Sequence, residues 1–291
     1  MSEPFTAYNF RVEIMLPGAA EPLCQAAFAE CDGIEMNFDV KTLYEGGDGA
    51  GRRLLAGPAS FGEVTLKRGM TASFDLWDWC ASVQRDPALR ADAHVVMLAA
   101  DRTEVARFLL RRCLPVRLKA PRLDAMDGVV AVEELRLACE SLALDGPGRD
   151  AVPEPPRLQK AELRELDELL SQEVDKDRWV RVQLNPRDLR LSFADTEPDA
   201  SAPARLALEL WFDAAGAGDV RRLTQRVAYF ATPRRAGDRK PPGVPPVRFV
   251  WGPFRFDGHV EALEETLDFF SPDGRPLRAR LSLSLRGAVT S

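Results

Sequence analysis

The chain has 291 residues, 45% of them hydrophobic and 29% charged, which exceeds the usual single domain and fits a globular protein with a real core. Its net charge of −6 lies wholly in residues 1–150, with 17 basic against 23 acidic side chains, while residues 151–291 balance at 22 of each; an acidic half beside a neutral one argues against a nucleic-acid grip. No run of 18 apolar residues exists to span a membrane, and residues 1–14 (MSEPFTAYNFRVEI) lack the basic-then-apolar order of a secretory signal, so synthesis in the cytoplasm is expected.

In chain order, Asn9 to Leu16 alternates as a strand with Phe10, Val12, Ile14 and Leu16 on one face, and Leu23 to Ile34 reads as a second strand. Glu35 to Thr65 then has alternating flanks (Met36, Phe38, Val40; Phe61, Val64) around a glycine-rich centre bearing Arg52 and Arg53. That pattern describes a long β-hairpin with no core of its own, and an isolated two-stranded arm is barely stable in water. A helix is expected over Phe74 to Arg85. Strands follow at Ala106 to Val116 and, after an Asp127–Gly128 turn, in the stretch VVAVEELRLACESL.

Asp145 to Arg157, with four prolines and two glycines, marks a break between two domains. Leucines 163, 166, 169 and 170 predict a short helix over Leu158 to Val174, giving a linker over 147–176 between domains at 1–146 and 177–291. The second domain opens with strands at Trp179 to Leu184 and Asp188 to Phe193. Ala194 to Pro203 reads as a polar hairpin tip and Ala204 to Phe212 as its return strand. A helix is expected over Asp219 to Phe230, an exposed basic proline-rich loop over Arg234 to Pro246, and strands at Val247 to Phe256 and Gly258 to Phe270. An Asp273–Gly274 turn precedes the last strand. The order of elements repeats, with 52 positions from Asp75 to Asp127 and 54 from Asp219 to Asp273. A mainly β fold follows: two tandem antiparallel sandwich or barrel domains, each with one packed helix and a hairpin arm.

Chemistry is sparse. The five cysteines all fall in the first half without a CxxC pair, as in a reduced chain, and Cys113 and Cys139 read as small buried hydrophobes. His94 and His259, in equivalent-looking strand positions of the two domains, have no ligand-spaced neighbours, so no metal site is expected. The glycines at 46, 47, 49 and 51 lack the Gly-Lys-Ser/Thr ending of a phosphate loop. No nucleophile elbow occurs, and Glu133–Glu134 and Glu264–Glu265 read as strand positions facing solvent or a basic neighbour. No enzyme and no cofactor are expected; a cell-wall hydrolase would need a carboxylate pair in a cleft. Asp75 and Asp219 read as helix N-terminal residues. Trp77 and Trp79, two apart on one helix, cannot share its inward face, so one is expected to reach outward.

Residues 28–49 (FAECDGIEMNFDVKTLYEGGDG) and 61–79 (FGEVTLKRGMTASFDLWDW) resemble the tail-tube protein family of contractile phages and phage-like injection systems, through Phe61, Leu66, Lys67, Arg68, Gly69 and Trp79. The second half resembles the tube-domain proteins of injection-system baseplates, through VQLNPRDLRLSF (182–193), LALELWFDAAGAGDVRRLT (206–224) and the segment 245–285 with its WG and PDG elements, without the LysM segment that often follows.

The resemblance implies two tube domains contributing strands to a ring's inner barrel, and a structural connector between inner tube and spike or baseplate. The partners it implies are further copies of the chain, the tail-tube protein, and spike and baseplate proteins, with no nucleic acid and no membrane insertion. Six copies would stack two rings, the preferred arrangement; three would alternate domains in one pseudo-six-fold ring. A cargo or toxin adaptor inside the tube is the alternative. Contacts between protomers are expected at Phe38, Val40, Tyr44, Gly46, Gly47, Arg52 and Arg53 on the arm, where Arg52 and Arg53 would meet acidic groups. They are also expected at Lys67, Arg68 and Trp77, and at Trp251, Phe254 and Arg278 in the second domain.

Overall fold

Period-two alternation of branched and aromatic residues recurs along the chain and makes most of it strand. The computed structural model describes residues 9–26, 28–44, 52–124, 126, 128–146, 158–174, 178–193, 204–214, 218–234 and 243–290. Two compact units, Met1–Glu154 and Pro155–Ser291, divide it. The expected tip glycines Gly46 and Gly47, Asp127, the 194–203 hairpin tip, most of the interdomain break and most of the basic loop before Pro246 lie outside the described residues.

In the first unit the strands are β1 (Phe10–Met15), β2 (Cys24–Ala26), β3 (Glu30–Asp32), β4 (Met36–Tyr44), β5 (Arg52–Phe61), β6 (Val64–Gly69), β7 (Ala91–Leu98), β8 (Glu104–Lys119), β9 (Val132–Ala138) and β10 (Ser141–Asp145). Helix α1 (Asp75–Arg85) lies between β6 and β7. The main sheet runs β2-β1-β7-β8-β9-β6-β3, all antiparallel, with β10 also on β8. The two edges, β2 and β3, are separated by residues 27–29 alone, a span of at most roughly 15 Å. Such a short link forces the sheet to curl until its edges approach.

The curl is built into β8. Its first part, to Cys113, pairs with β7, and from Leu114 it pairs with β9. Arg112, at the changeover, takes a left-handed φ of 53°, and its N–H donates to Asp92 Oδ1 at 2.8 Å. Inside the curl, Val12, Ile14, Leu66, Leu110, Leu135 and Leu137 form the core, which α1 closes with Leu76 and Trp79.

The second unit repeats this plan. Its strands are β11 (Glu162–Glu165), β12 (Val180–Arg181), β13 (Arg190–Phe193), β14 (Ala204–Asp213), β15 (Pro246–Trp251), β16 (Phe254–Phe270) and β17 (Pro276–Thr290), with α2 (Arg221–Ala228) followed by a 3-10 turn, Tyr229–Ala231. The order β12-β11-β15-β16-β17-β14-β13 matches the first sheet strand for strand. β17 runs unbroken where β9 and β10 are interrupted at Cys139–Glu140. The duplicated plan, the mainly β class and one helix per domain are therefore as the sequence implied.

Three expectations are corrected. Leu158 to Val174 is not a helix, because β11 lies between β12 and β15 with Ala161, Leu163 and Glu165 alternating into the core. Leu169, counted in the helical stripe, is 85% exposed, and sheet pairing overrides local propensity here. Leu23 to Ile34 is two short strands on opposite sheet edges rather than one. His94 sits on β7 and His259 on β16, which are not equivalent strands.

Gly258 and Gly287 face each other across β16 and β17. A Cβ at Gly287 would lie 1.9 Å from the Asp257 carbonyl oxygen, and one at Gly258 would lie 2.2 Å from that of Arg286. Gly287→Ala is expected to cost about 2 kcal/mol, the scale of an overpacked core, and to lower the thermal midpoint by several degrees in calorimetry. An unchanged midpoint would contradict this close approach.

Candidate assembly surfaces

β4 and β5 form a separate two-stranded sheet that projects between β3 and β6. Their register places Met36 opposite Phe61, Phe38 opposite Ala59, Val40 opposite Ala56 and Thr42 opposite Leu54. The register shift after Phe38 leaves an extra residue in β5 at Gly57–Pro58, where a bulge tolerates proline. One face of the arm is consequently mainly apolar, carrying Met36, Phe38, Val40, Thr42, Leu54, Ala56, Ala59 and Phe61. The other carries Asn37, Asp39, Lys41, Leu43, Arg53, Leu55 and Ser60.

Among the described residues no layer covers this mainly apolar face: Phe38, Val40 and Leu54 are 59%, 53% and 57% exposed. Arg52, opposite Tyr44, ends that face, and Arg53 lies opposite Leu43. The arm's root is pinned by Gly33, at φ 84°, where a Cβ would meet the Glu63 carbonyl oxygen at 2.3 Å. A Gly62 N–H bond to the Glu35 carbonyl (3.2 Å) closes the root from the other strand.

Lys67 and Arg68, adjacent on β6, point to opposite faces of the sheet. Lys67 Nζ donates to Glu30 Oε1 at 2.7 Å across to β3. Arg68 is 4% exposed and turns inward, donating from Nε to Glu133 Oε1 (2.8 Å) and from Nη1 to Asp75 Oδ2 (3.2 Å), with a second bond from Nη2 to Asp75 Oδ1. Cys24 Sγ lies 3.0 Å from Nη1, and the Phe28 ring lies beside the guanidinium at 5.7 Å. Trp77 Nε1 donates to the other Glu133 oxygen at 3.1 Å, leaving the ring 38% exposed. Trp79 is buried, so the two tryptophans divide as the helical spacing required.

Burial works to raise the Asp75 carboxyl. The hydrogen bonds from Arg68 and the Leu76 N–H, with the Arg68 charge, outweigh burial and hold it below the usual carboxylate range. Burial likewise opposes the Arg68 charge, and its two carboxylate partners overcome it, raising its pKa.

Sequence reading left Glu133 facing solvent or a basic neighbour, and the structure assigns the second alternative. The signal was available, since Glu133 shares its strand face with the buried Leu135 and Leu137, and Arg68 shares its own with the buried Val64 and Leu66. A carboxylate in an inward register requires a buried cation.

The candidate residues of the second unit are engaged within it. Trp251 and Phe254 are cross-strand partners; the Trp251 indole donates to the Gln159 carbonyl at 3.1 Å, and Phe254 packs edge-to-face on Phe249. Arg278 lies apart from them on β17, donating to Asp213 Oδ2 at 3.1 Å and stacking 5.3 Å from the Phe269 ring. The structure thus places Phe38, Val40 and Arg52 on one face of the arm and Arg53 on the other, and brings Arg68 and Trp77 into one network.

None of these groups forms a nucleophile–base pair. Burial, with the Asp32 charge, pushes the Cys31 thiol up to about 11, and burial pushes Cys113 up to about 12, so both stay protonated at neutral pH. No cluster of three metal-ligating side chains occurs among the described residues.

Residues 6–143 match the family described as T4-like virus tail tube protein gp19, and residues 157–291 match the contractile injection system tube protein family. No curated protein sequence matches the chain. Among solved structures, a chain of the anti-feeding prophage baseplate is 25% identical, with 51% of this chain and 100% of that one covered and a TM-score of 0.47. A chain of the PVC sheath–tube complex in the extended state is 20% identical, covering 49% and 92%, with a TM-score of 0.43. Hcp1 from Salmonella typhimurium is 13% identical, covering 47% and 86%, with a TM-score of 0.29.

Arg68→Met leaves Asp75 and Glu133 without their buried cation and is expected to cost about 3–5 kcal/mol in denaturant unfolding at pH 7. Adding Glu133→Leu should recover most of that loss. The depressed Asp75 pKa stabilises the fold above its unfolded value of about 3.9, and this contribution is lost as pH falls through the folded value. Arg68→Met should remove that acid-dependent loss. A cost below about 1 kcal/mol would show that the ion network carries no such weight.

Proposed function

We propose that the chain, whose residues 6–143 match the T4-like tail tube family and residues 157–291 the contractile injection system tube family, is a tandem tube protein acting as a ring-forming structural connector of a contractile injection system. Both families are structural rather than enzymatic. In this reading the connector joins the inner tube to the baseplate and spike, as part of an assembled phage-tail-like particle.

The observation that carries this reading is the asymmetry of two otherwise matching domains. The first inserts a two-stranded arm, β4–β5, between β3 and β6; in the second, the corresponding strands β13 and β14 are joined by residues 194–203 alone. A chain built to stack like on like needs no such difference. One that joins two kinds of neighbour does. The arm has no covering layer among the described residues of its own domain, so a neighbouring protomer supplies it, and a contact between unlike surfaces closes into a ring when its rotation allows. Six copies, giving two stacked rings of six domains, fit two tube domains placed in series. Both arm arginines then face acidic groups of a neighbour.

Light scattering on the purified full chain tests this. The expected assembly has six times the 32.2 kDa chain mass, and deletion of residues 46–57 should return the chain to monomer with both domains folded. A species of three chain masses would replace the stacked hexamer by a single ring of alternating domains. A monomer at all concentrations would overturn the ring.

A further inference from the structure

We propose that the groove between α1 and the far half of β8 is the seat for the apolar face of the arm of a second copy. This inference rests on the ring-forming reading and names the surface that receives the arm. The groove, about 470 Å³, is lined by Trp77, Cys80 and Val83 of α1 and by Pro115, Val116 and Leu118 of β8. Trp77 and Val116 remain 38% and 43% exposed, which is unusual for large apolar side chains gathered in one concavity.

The geometry of β8 explains why the groove exists. β7 pairs with β8 no further than Cys113, so beyond it only β9 lies against β8. The register shift between Pro115 and Arg117 distorts the same stretch. One edge of the strand therefore runs beside α1 without a paired strand, and free edges of this kind take up added strands. The Trp77 wall is pre-oriented, since its indole donates to Glu133, which Arg68 holds from the other side at 2.8 Å. A fixed aromatic wall loses little freedom on binding, as interface anchors require.

The occupant follows from the same domain. The arm and the groove belong to one unit, yet Phe38 and Val40 stay 59% and 53% exposed, so the chain does not seat its own arm in its own groove. A second copy offers the matching face. The groove's rim offers a partner for Arg52 at the end of the arm's apolar face: α1 borders it with the exposed Asp78 beside Trp77, while Arg117 lines the β8 side.

The groove carries its own reporter, Cys80. In the full chain with Phe38→Cys, mild oxidation should yield covalent dimers and higher species on non-reducing gels. They should disappear when Cys80→Ser is added, even though Cys31 and Cys139 remain. An independent pair, Asp78→Arg and Arg52→Asp, should each raise the concentration needed for assembly about tenfold, and combining them should restore it. Rings that form normally with neither Cys80-dependent cross-links nor charge-swap rescue would overturn the groove while leaving the ring reading intact. A chain that never assembles would overturn both.

Discussion

The constraint on which the architecture turns is that β4 and β5 form a sheet of two strands with, among the described residues, no layer over it. Two strands satisfy each other's backbone groups on one edge only, and three strands or a covering layer are needed for independent stability. The first domain invests rigid machinery in projecting this arm. Gly33 and Gly62 bring the two root strands closer than any side chain would permit, and the curled sheet places its β3 and β6 anchors together at one edge. An arm held so firmly at its base and exposed along its apolar face is what the proposed ring would cover.

The two domains also solve one local problem in different ways. In the first, Arg68 faces Glu133 across the β6–β9 pair and reaches Asp75, seven residues on, at the start of α1. In the second, Phe212 faces Ala279 across β14–β17, and Asp219 follows seven residues later, just before α2. There Phe212 simply packs in the core, and Asp219 pairs with Arg221 in its own turn, holding its carboxyl down near about 2. Buried ion networks rarely out-stabilise well-packed apolar residues, so stability alone does not explain the charged version. What distinguishes it is Trp77: the network presents a fixed indole at the surface, and the second domain has Arg221 at the same distance from its aspartate. In the proposed assembly, the charged core of the first domain would support the contact surface at Trp77.

Most of the fold was legible in the sequence, because sheet alternation and turn residues are local signals. Val12 and Ile14, the 36–61 hairpin and both helices announce themselves by period and spacing. The element that misled was 158–174, where leucines at helical spacing coexist with the shorter alternation Ala161–Leu163–Glu165. Only pairing with β15, some 80 residues away, decides between them. The candidate surface was partly legible for the same reason. Phe38 and Val40 show their face by alternation, whereas the inward turn of Arg68 depends on Glu133, 65 residues distant. The β8 groove depends on where β7 stops pairing, which no local pattern records.

Hydrogen exchange over peptides spanning residues 36–61, compared between dilute protein and the assembled state, tests the central claim most directly. Among the described residues β4 and β5 pair only with each other, so their outer-edge amides should exchange rapidly when dilute and become protected on assembly, while the core strands β1, β7 and β14 stay protected in both states. Equal exchange of the arm in the two states would contradict the account.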